Sequence, residues 1–240
     1  MNNFVRNFYN DYAPRQIAIG VNKRHLCIAN WLQKHNLGSM NSVLEIGCGV
    51  GTLSQLIIKN SPLAQFTGID ISDESIEHAR TKIKTARTSF IAGDILSLEL
   101  SQEFDMVILA DVMEHLPQDK YVFIFKKLKK LLKVGGNIFL NYPDYNYHKW
   151  VLANSPSEAQ IIDNPLCPEI LFKSVLESEL LIEEFQSYKI WSNFPDYTRV
   201  RISRKIDRNY DSVTNNVNKS IKINAISKYA RALFGRVVSK

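Results

Sequence analysis

The side chains best suited to chemistry gather in four short segments of this 240-residue chain. The first is Leu44-Glu45-Ile46-Gly47-Cys48-Gly49-Val50-Gly51-Thr52, where three glycines alternate with single residues behind an acidic side chain. Glycine reaches positive φ at no steric cost and lets a bound molecule press on the backbone. The run therefore reads as a buried strand, a ligand-cradling turn and a helix start, with a tight turn that binds nothing as the plainer alternative. The second segment is Asp70-Ile71, 19 residues beyond Gly51. A helix cap is the plain role for Asp70, although Ser72 or Asp73 would cap better. The third, Gly93-Asp94-Ile95, offers a carboxylate that could equally build a turn. The fourth is Leu109-Ala110-Asp111-Val112-Met113-Glu114-His115-Leu116-Pro117. His115 titrates near neutrality and is the leading candidate for a general base, with Glu114 beside it; a structural histidine at a strand end is the competing role.

The elements that must position these groups alternate along the chain. Strand signals at 43–46, 65–69, 89–92, 105–109 and 137–141 are separated by helix signals at 53–59, 74–84 and 118–132. The last helix is expected to stop at Gly135-Gly136. Repeated βα units imply a mostly parallel sheet with helices on both faces. Residues 1–40 read as a helical leader, with 8–15 more like a flap or short helix. Residues 142–180 break the rhythm with four prolines and many aromatics, and read as a substrate-side insertion over the carboxyl edge of the sheet. Two closing strands follow at 180–188 and 197–203. The expected organisation is a leader (1–40), a catalytic domain (41–205) and a linker with a basic amphipathic helix (206–240).

The glycine spacing separates two ligand classes. Dinucleotide sites read G-x-G-x-x-G, whereas this chain reads G-x-G-x-G after Glu45. In this the chain resembles the class I, Rossmann-like S-adenosylmethionine-dependent methyltransferases, over about residues 40–142. The resemblance implies an α/β fold with a seven-stranded, mostly parallel sheet, and S-adenosylmethionine as cofactor. It implies that Gly47, Gly49 and Gly51 form the cradle and that Glu45 suits a ligand cationic at its amine and sulfonium. It also implies that Asp70, with Ile71, takes the ribose hydroxyls, and that Asp94 accepts from the adenine amine beside Ile95. Ala110 and its neighbours would then run along the methionine end. Tyr9, Tyr12 and Arg15 look like a leader folded over the cofactor, Arg15 reaching its carboxylate, with ordinary helix packing equally open.

Methyl transfer to a hydroxyl needs positioning and usually a general base, which singles out His115 and Glu114. The D-x-x-E-H spacing of Asp111, Glu114 and His115 is also similar to that of some methyltransferases that use a divalent ion, with only His148 or Asp144 as a further ligand, and no metal is assigned. Tyr142, Tyr145, Tyr147, His148 and Trp150 are expected to line the acceptor pocket. The expected acceptor is a small molecule or glycan precursor, methylated on oxygen. RNA ribose methylation and NAD(P)-dependent oxidoreduction are the alternatives, the latter disfavoured by the glycine spacing.

The net charge of +6 is uneven, since from Arg199 onward eleven basic residues face only Asp207 and Asp211. The remainder is therefore slightly acidic, and nucleic acid is not the expected partner. Residues 221–240 set Ile223, Ile226, Ala230, Leu233, Phe234 and Val237 on one helical face with basic flanks. That pattern suits peripheral contact with an anionic membrane or docking on protein. Cys27, Cys48 and Cys167 fit no zinc or disulfide spacing, and the amino-terminal residues lack the apolar run of a secretory signal, so a cytoplasmic location is expected.

Overall fold

Alternate residues along the central strands are apolar in both directions, which obliges helices to cover both sides of the sheet. The computed structural model describes residues 3–204; the expected linker and the helix at 221–240 lie outside the described residues. The strands are β1 (Ser42–Ile46), β2 (Gln65–Asp70), β3 (Thr88–Ala92), β4 (Phe104–Ala110), β5 (Leu132–Pro143), β6 (Leu180–Tyr188) and β7 (Tyr197–Arg204). They form one seven-stranded sheet in the order β3-β2-β1-β4-β5-β7-β6. The first five pair in parallel, and β7 runs antiparallel to both β5 and β6. The Rossmann-like expectation is met.

The period-2 alternation of each strand splits its side chains between two cores. Leu44, Ile46, Val107, Leu109, Ile138 and Leu140 join α5 (Tyr121–Lys130) and α7 (Pro168–Glu177) on one side. Val43, Phe66, Met106, Ile108 and Phe139 join α2 (Lys23–Lys34), α3 (Thr52–Asn60) and α4 (Asp73–Lys82) on the other. Chain order reverses between β1 and β4, where successive connections leave to opposite faces, so a crevice opens beyond the carboxyl ends of these two strands.

Two local expectations change. Residues 8–15 are neither flap nor short helix: α1 runs unbroken over Asn3–Ile19 with Pro14 inside it. Proline removes one amide bond and crowds the preceding turn, so the helix persists here through its tertiary contacts rather than its propensity. The helix expected over 118–132 is also shorter, because Gln118–Lys120 form a separate 3-10 turn and α5 ends at Lys130. Gly135 and Gly136 lie inside β5. There the ladder to β4 slips between Phe104 and Met106. Gly135 has φ +82°, and a Cβ on Gly136 would lie 2.9 Å from the Phe104 carbonyl oxygen. The pair serves a strand irregularity, not a helix stop.

Candidate functional site

The crevice at the β1–β4 switch holds a cavity of about 300 Å³, at the small end of the range for small-molecule sites. Its floor is the glycine turn. Gly47, Gly49 and Gly51 have φ of +71°, +52° and +82°, a region in which only glycine is relaxed. A Cβ on Gly47 would fall 2.3 Å from Val112 Cγ2, and one on Gly49 would fall 2.7 Å from Gln16 Oε1. These two glycines give the cavity its depth. Gly51 does a different job: it is the N-cap of α3, is not among the lining residues, and would push a Cβ into Ile83 and Ala79 behind the turn.

Of the expected ligand-facing residues, Glu45, Gly47, Gly49, Asp70, Ile71, Asp94, Ile95, Ala110 and His115 line this cavity. Glu45 is buried at the end of β1 and accepts from Ser54 Oγ at 2.5 Å. Burial pushes its carboxyl up to about 8, the Ser54 bond offsetting part of that and the charge of Asp70 adding to it. Asp94 Oδ1 accepts from the Leu96 amide at 2.9 Å, so this carboxylate also shapes its own turn.

Asp70 closes β2 and ties down the turn. Its Oδ2 accepts from the Gly49 amide at 2.8 Å and its Oδ1 from the Ser72 amide at 2.9 Å. Burial raises its pKa against the opposing effect of these amides. Ser72, not Asp70, caps α4, its side chain accepting from the Ser75 amide. Asp70→Ala is therefore expected to destabilise the protein by about 2–4 kcal/mol, since two charged hydrogen bonds of roughly 1.5–3 kcal/mol each are lost with incomplete additivity. Thermal unfolding measures this, with Asp70→Asn losing less because it keeps one acceptor. An unchanged melting temperature in the alanine variant would refute the anchoring role.

The loop after β4 concentrates the buried charge. Asp111 stands at φ +56° and its amide donates to the Asn141 carbonyl at 2.7 Å. Arg24 of α2 pairs with it at 3.0 Å and also reaches Tyr197 Oη at 3.3 Å. Asp111 holds the Arg24 guanidinium firmly charged, while burial raises the Asp111 carboxyl despite that cation. Glu114 is buried, does not line the cavity, and neither of its carboxylate oxygens has a hydrogen-bond partner. Burial, reinforced by Asp111, lifts its pKa well above the usual carboxylate range and so favours its uncharged form.

His115 is the most constrained group in the cavity. Its Nδ1 lies 2.6 Å from the Ile162 carbonyl oxygen, which can only accept, so Nδ1 carries the proton and Nε2 is left basic. Burial lowers its pKa, and the Ile162 carbonyl and the carboxylates of Asp163 and Asp111 oppose that shift. The imidazole is thus neutral at neutral pH and can take a proton.

α1 forms the roof, with Tyr9, Tyr12 and Gln16 lining the cavity. Asn10 accepts from Ser72 Oγ at 2.8 Å, and Arg6 pairs with Asp73 at 2.8 Å, which docks the helix on the start of α4. Arg15 does not reach the cavity: it is exposed, with its guanidinium over the Tyr12 ring. The guanidinium in the wall is that of Arg24, which the sequence reading did not single out because α2 looks like an ordinary leader helix.

The aromatic acceptor pocket expected from 142–150 does not form at this cavity. Tyr142 is buried in the core, His148 is buried against Asp163, and Trp150 is 59% exposed on α6 (Tyr145–Asn154), stacked on Tyr147. None of the five lines the cavity, whereas Gln160, from the same insertion, does. Gln160 lies in an irregular stretch between Pro156–Glu158 and α7, where no local sequence pattern marks it.

Comparison with known proteins bears on this arrangement directly. A family profile described as a methyltransferase domain matches residues 43–136. The chain is 33% identical over 114 residues to a malonyl-[acyl-carrier protein] O-methyltransferase of Priestia megaterium, covering 48% of this chain and 41% of that protein. It is 32% identical over 128 residues to a ubiquinone biosynthesis O-methyltransferase of Idiomarina loihiensis, covering 51% of each. The chain thus spans about half the length of the curated relatives it matches. Among solved structures, magnesium protoporphyrin IX methyltransferase from Synechocystis superposes with a TM-score of 0.66 at 19% identity, covering 84% of this chain and 99% of that one. The methyltransferase-domain match thus falls on the segment that builds the glycine turn and the loop after β4, and the fold is the one shared with solved S-adenosylmethionine-dependent methyltransferases.

Proposed function

We propose that this chain binds S-adenosylmethionine in the cavity at the β1–β4 switch and transfers its methyl group to an oxygen of a small or carrier-linked acceptor. The bound cofactor supplies an electrophilic methyl group on a cationic sulfonium. The residues present suit it: a Cβ at Gly47 would run into Val112, Gly47 and Gly49 both sit at positive φ, and the lining sets Glu45, Asp70 and Asp94 around a space fit for a cationic nucleoside. On this reading Asp70 and Ile71 hold the ribose, Asp94 and Ile95 the adenine, and Glu45 and Ala110 flank the methionine portion. Arg24 takes the carboxylate-facing role that the sequence had suggested for Arg15.

The observation that carries the oxygen-acceptor reading is His115. With Nδ1–H committed to Ile162, Nε2 is the nitrogen that takes the hydroxyl proton as the acceptor oxygen becomes nucleophilic. Glu114, which does not line the cavity and whose burial favours the protonated form, is assigned no proton transfer; it sets the polarity behind His115. The O-methyltransferases among the similar proteins support the same atom type. Among the described residues, no helix is long and apolar enough to cross a membrane.

The test is twofold. Calorimetry should give tight binding of S-adenosylmethionine and none of NAD, with Asp70→Ala losing most of that affinity. Radiolabelled methyl transfer should then be screened over phenols, carboxylic acids, acyl carrier protein thioesters, sugar nucleotides and lipid-linked sugars. Binding of NAD in preference to S-adenosylmethionine would overturn the cofactor assignment, and incorporation into amines alone would overturn the oxygen acceptor.

A further inference from the structure

Residues 160–164 are fastened to the loop after β4 more tightly than a surface connection requires. His115 Nδ1 meets the Ile162 carbonyl at 2.6 Å, and the Asn164 amide donates to the Glu114 carbonyl at 2.9 Å. Between them, Asp163 is 12% exposed and stands 3.9 Å from His115 Nδ1. One of its oxygens faces His148 Nε2 at 2.7 Å, and the other accepts from the Gln160 amide at 3.0 Å. His148 is itself buried and comes from α6. Asp163 is therefore the knot between α6, the cavity-lining Gln160 and the ring of His115.

We infer that Asp163 is a positioning residue for His115. It fixes the 160–164 turn so that the Ile162 carbonyl selects one tautomer, and it sets a negative charge beside the imidazolium formed when Nε2 takes the acceptor proton. This rests on His115 as the proposed base. The same ring is faced by Asp111 and Glu114 from its own loop, by His148 from α6 and by the Tyr9 ring of α1, with Arg24 of α2 paired to Asp111. Of the carboxylates, Asp111 also acts on the ring but is tied to Arg24, and burial raises Glu114, so Asp163 acts on the ring ahead of Asp111 and without a paired guanidinium. Its own pKa agrees: burial raises it, but the His148 bond and the Gln160 amide outweigh that and hold it low.

The experiment is nitrogen-resolved NMR of the full chain, with the His115 imidazole identified as the signal missing from His115→Asn. Native His115 should titrate as a single Nδ1–H tautomer. Asp163→Asn should mix the tautomers and lower the His115 midpoint by roughly half a pH unit or more, since an opposite charge within about 4 Å favours the protonated ring. Affinity for S-adenosylmethionine should stay within about twofold, because Asp163 does not line the cavity. An unchanged midpoint with an unchanged tautomer overturns the inference. Should Asp163→Asn fail to bind the cofactor, His148→Gln decides. That variant keeps a donor to Asp163 but removes the competing imidazole, so the His115 midpoint should rise, and no change would again overturn the inference. If the midpoints move as stated while His115→Ala retains full turnover, the coupling stands and the base assignment falls.

Discussion

Replacing His115 with alanine is expected to lower kcat by about 10²–10⁴-fold while leaving S-adenosylmethionine affinity nearly unchanged, the signature of a group that acts on the proton and not on cofactor binding. The expectation follows from two properties of the ring. Its Nδ1 is committed to the Ile162 carbonyl, so the nitrogen that remains free to accept is fixed by the fold. Its pKa is lowered, chiefly by burial, so the basic form prevails at neutral pH and the rate should fall only as pH drops through that lowered value. A pH profile of kcat in the wild type, with the acid limb absent in His115→Ala, checks both. Full turnover by the alanine variant would remove the base role. Loss of activity with EDTA and recovery with Mg²⁺ would replace it by a metal-assisted one.

Cofactor binding should also strengthen with pH, through Glu45. In the free protein its carboxyl titrates near 8, so it is mostly protonated at pH 7. A cation placed beside it favours the anion and draws the pKa down. Between the lowered and the free value, affinity should rise up to about tenfold per pH unit, with close to one proton released per cofactor bound near pH 7. Above pH 8 the slope should vanish. The linkage has the opposite sign for the free fold: a carboxyl raised above its unfolded value stabilises the folded state at low pH, and that contribution is lost as pH rises from about 4.5 to about 8. Calorimetric titrations in buffers of different ionisation heat give the proton count directly. Glu45→Gln should bind with no pH slope in this window, and a slope that persists would transfer the effect to another group.

How far the sequence discloses this molecule depends on the range of the interaction. The strands were legible because alternation and glycine placement are local, and β6 spans the residues the pattern predicts. The floor of the cavity was legible for the same reason, since Glu45 through Thr52 is a continuous run. Its walls were not. Arg24 earns its place through Asp111, 87 residues away, and His115 through Ile162, neither of which leaves a mark on local composition. Arg15 and the aromatic run from Tyr142 to Trp150 misled for the converse reason: residue type suggested binding, but the direction in which α1 and α6 present their faces decided otherwise. Gly135 and Gly136 imitate a helix stop, and only the slipped pairing of Phe104 and Met106 reveals their use.

The reversal of strand order between β1 and β4 gives the protein a natural seam. The glycine turn, Asp70, Asp94 and the loop after β4 all fall within the methyltransferase-domain match at 43–136, while Arg24 of α2 joins the wall from outside it. The roof comes from α1 at one end, and the insertion adds Gln160 to the lining at the other. Neither piece contributes a strand to the parallel sheet. Changes in these two pieces can therefore reshape the mouth of the cavity while its floor stays in place, much as a common handle accepts different blades. A chimera carrying the leader and the 144–166 segment of a similar protein would test directly whether these pieces set the proposed acceptor.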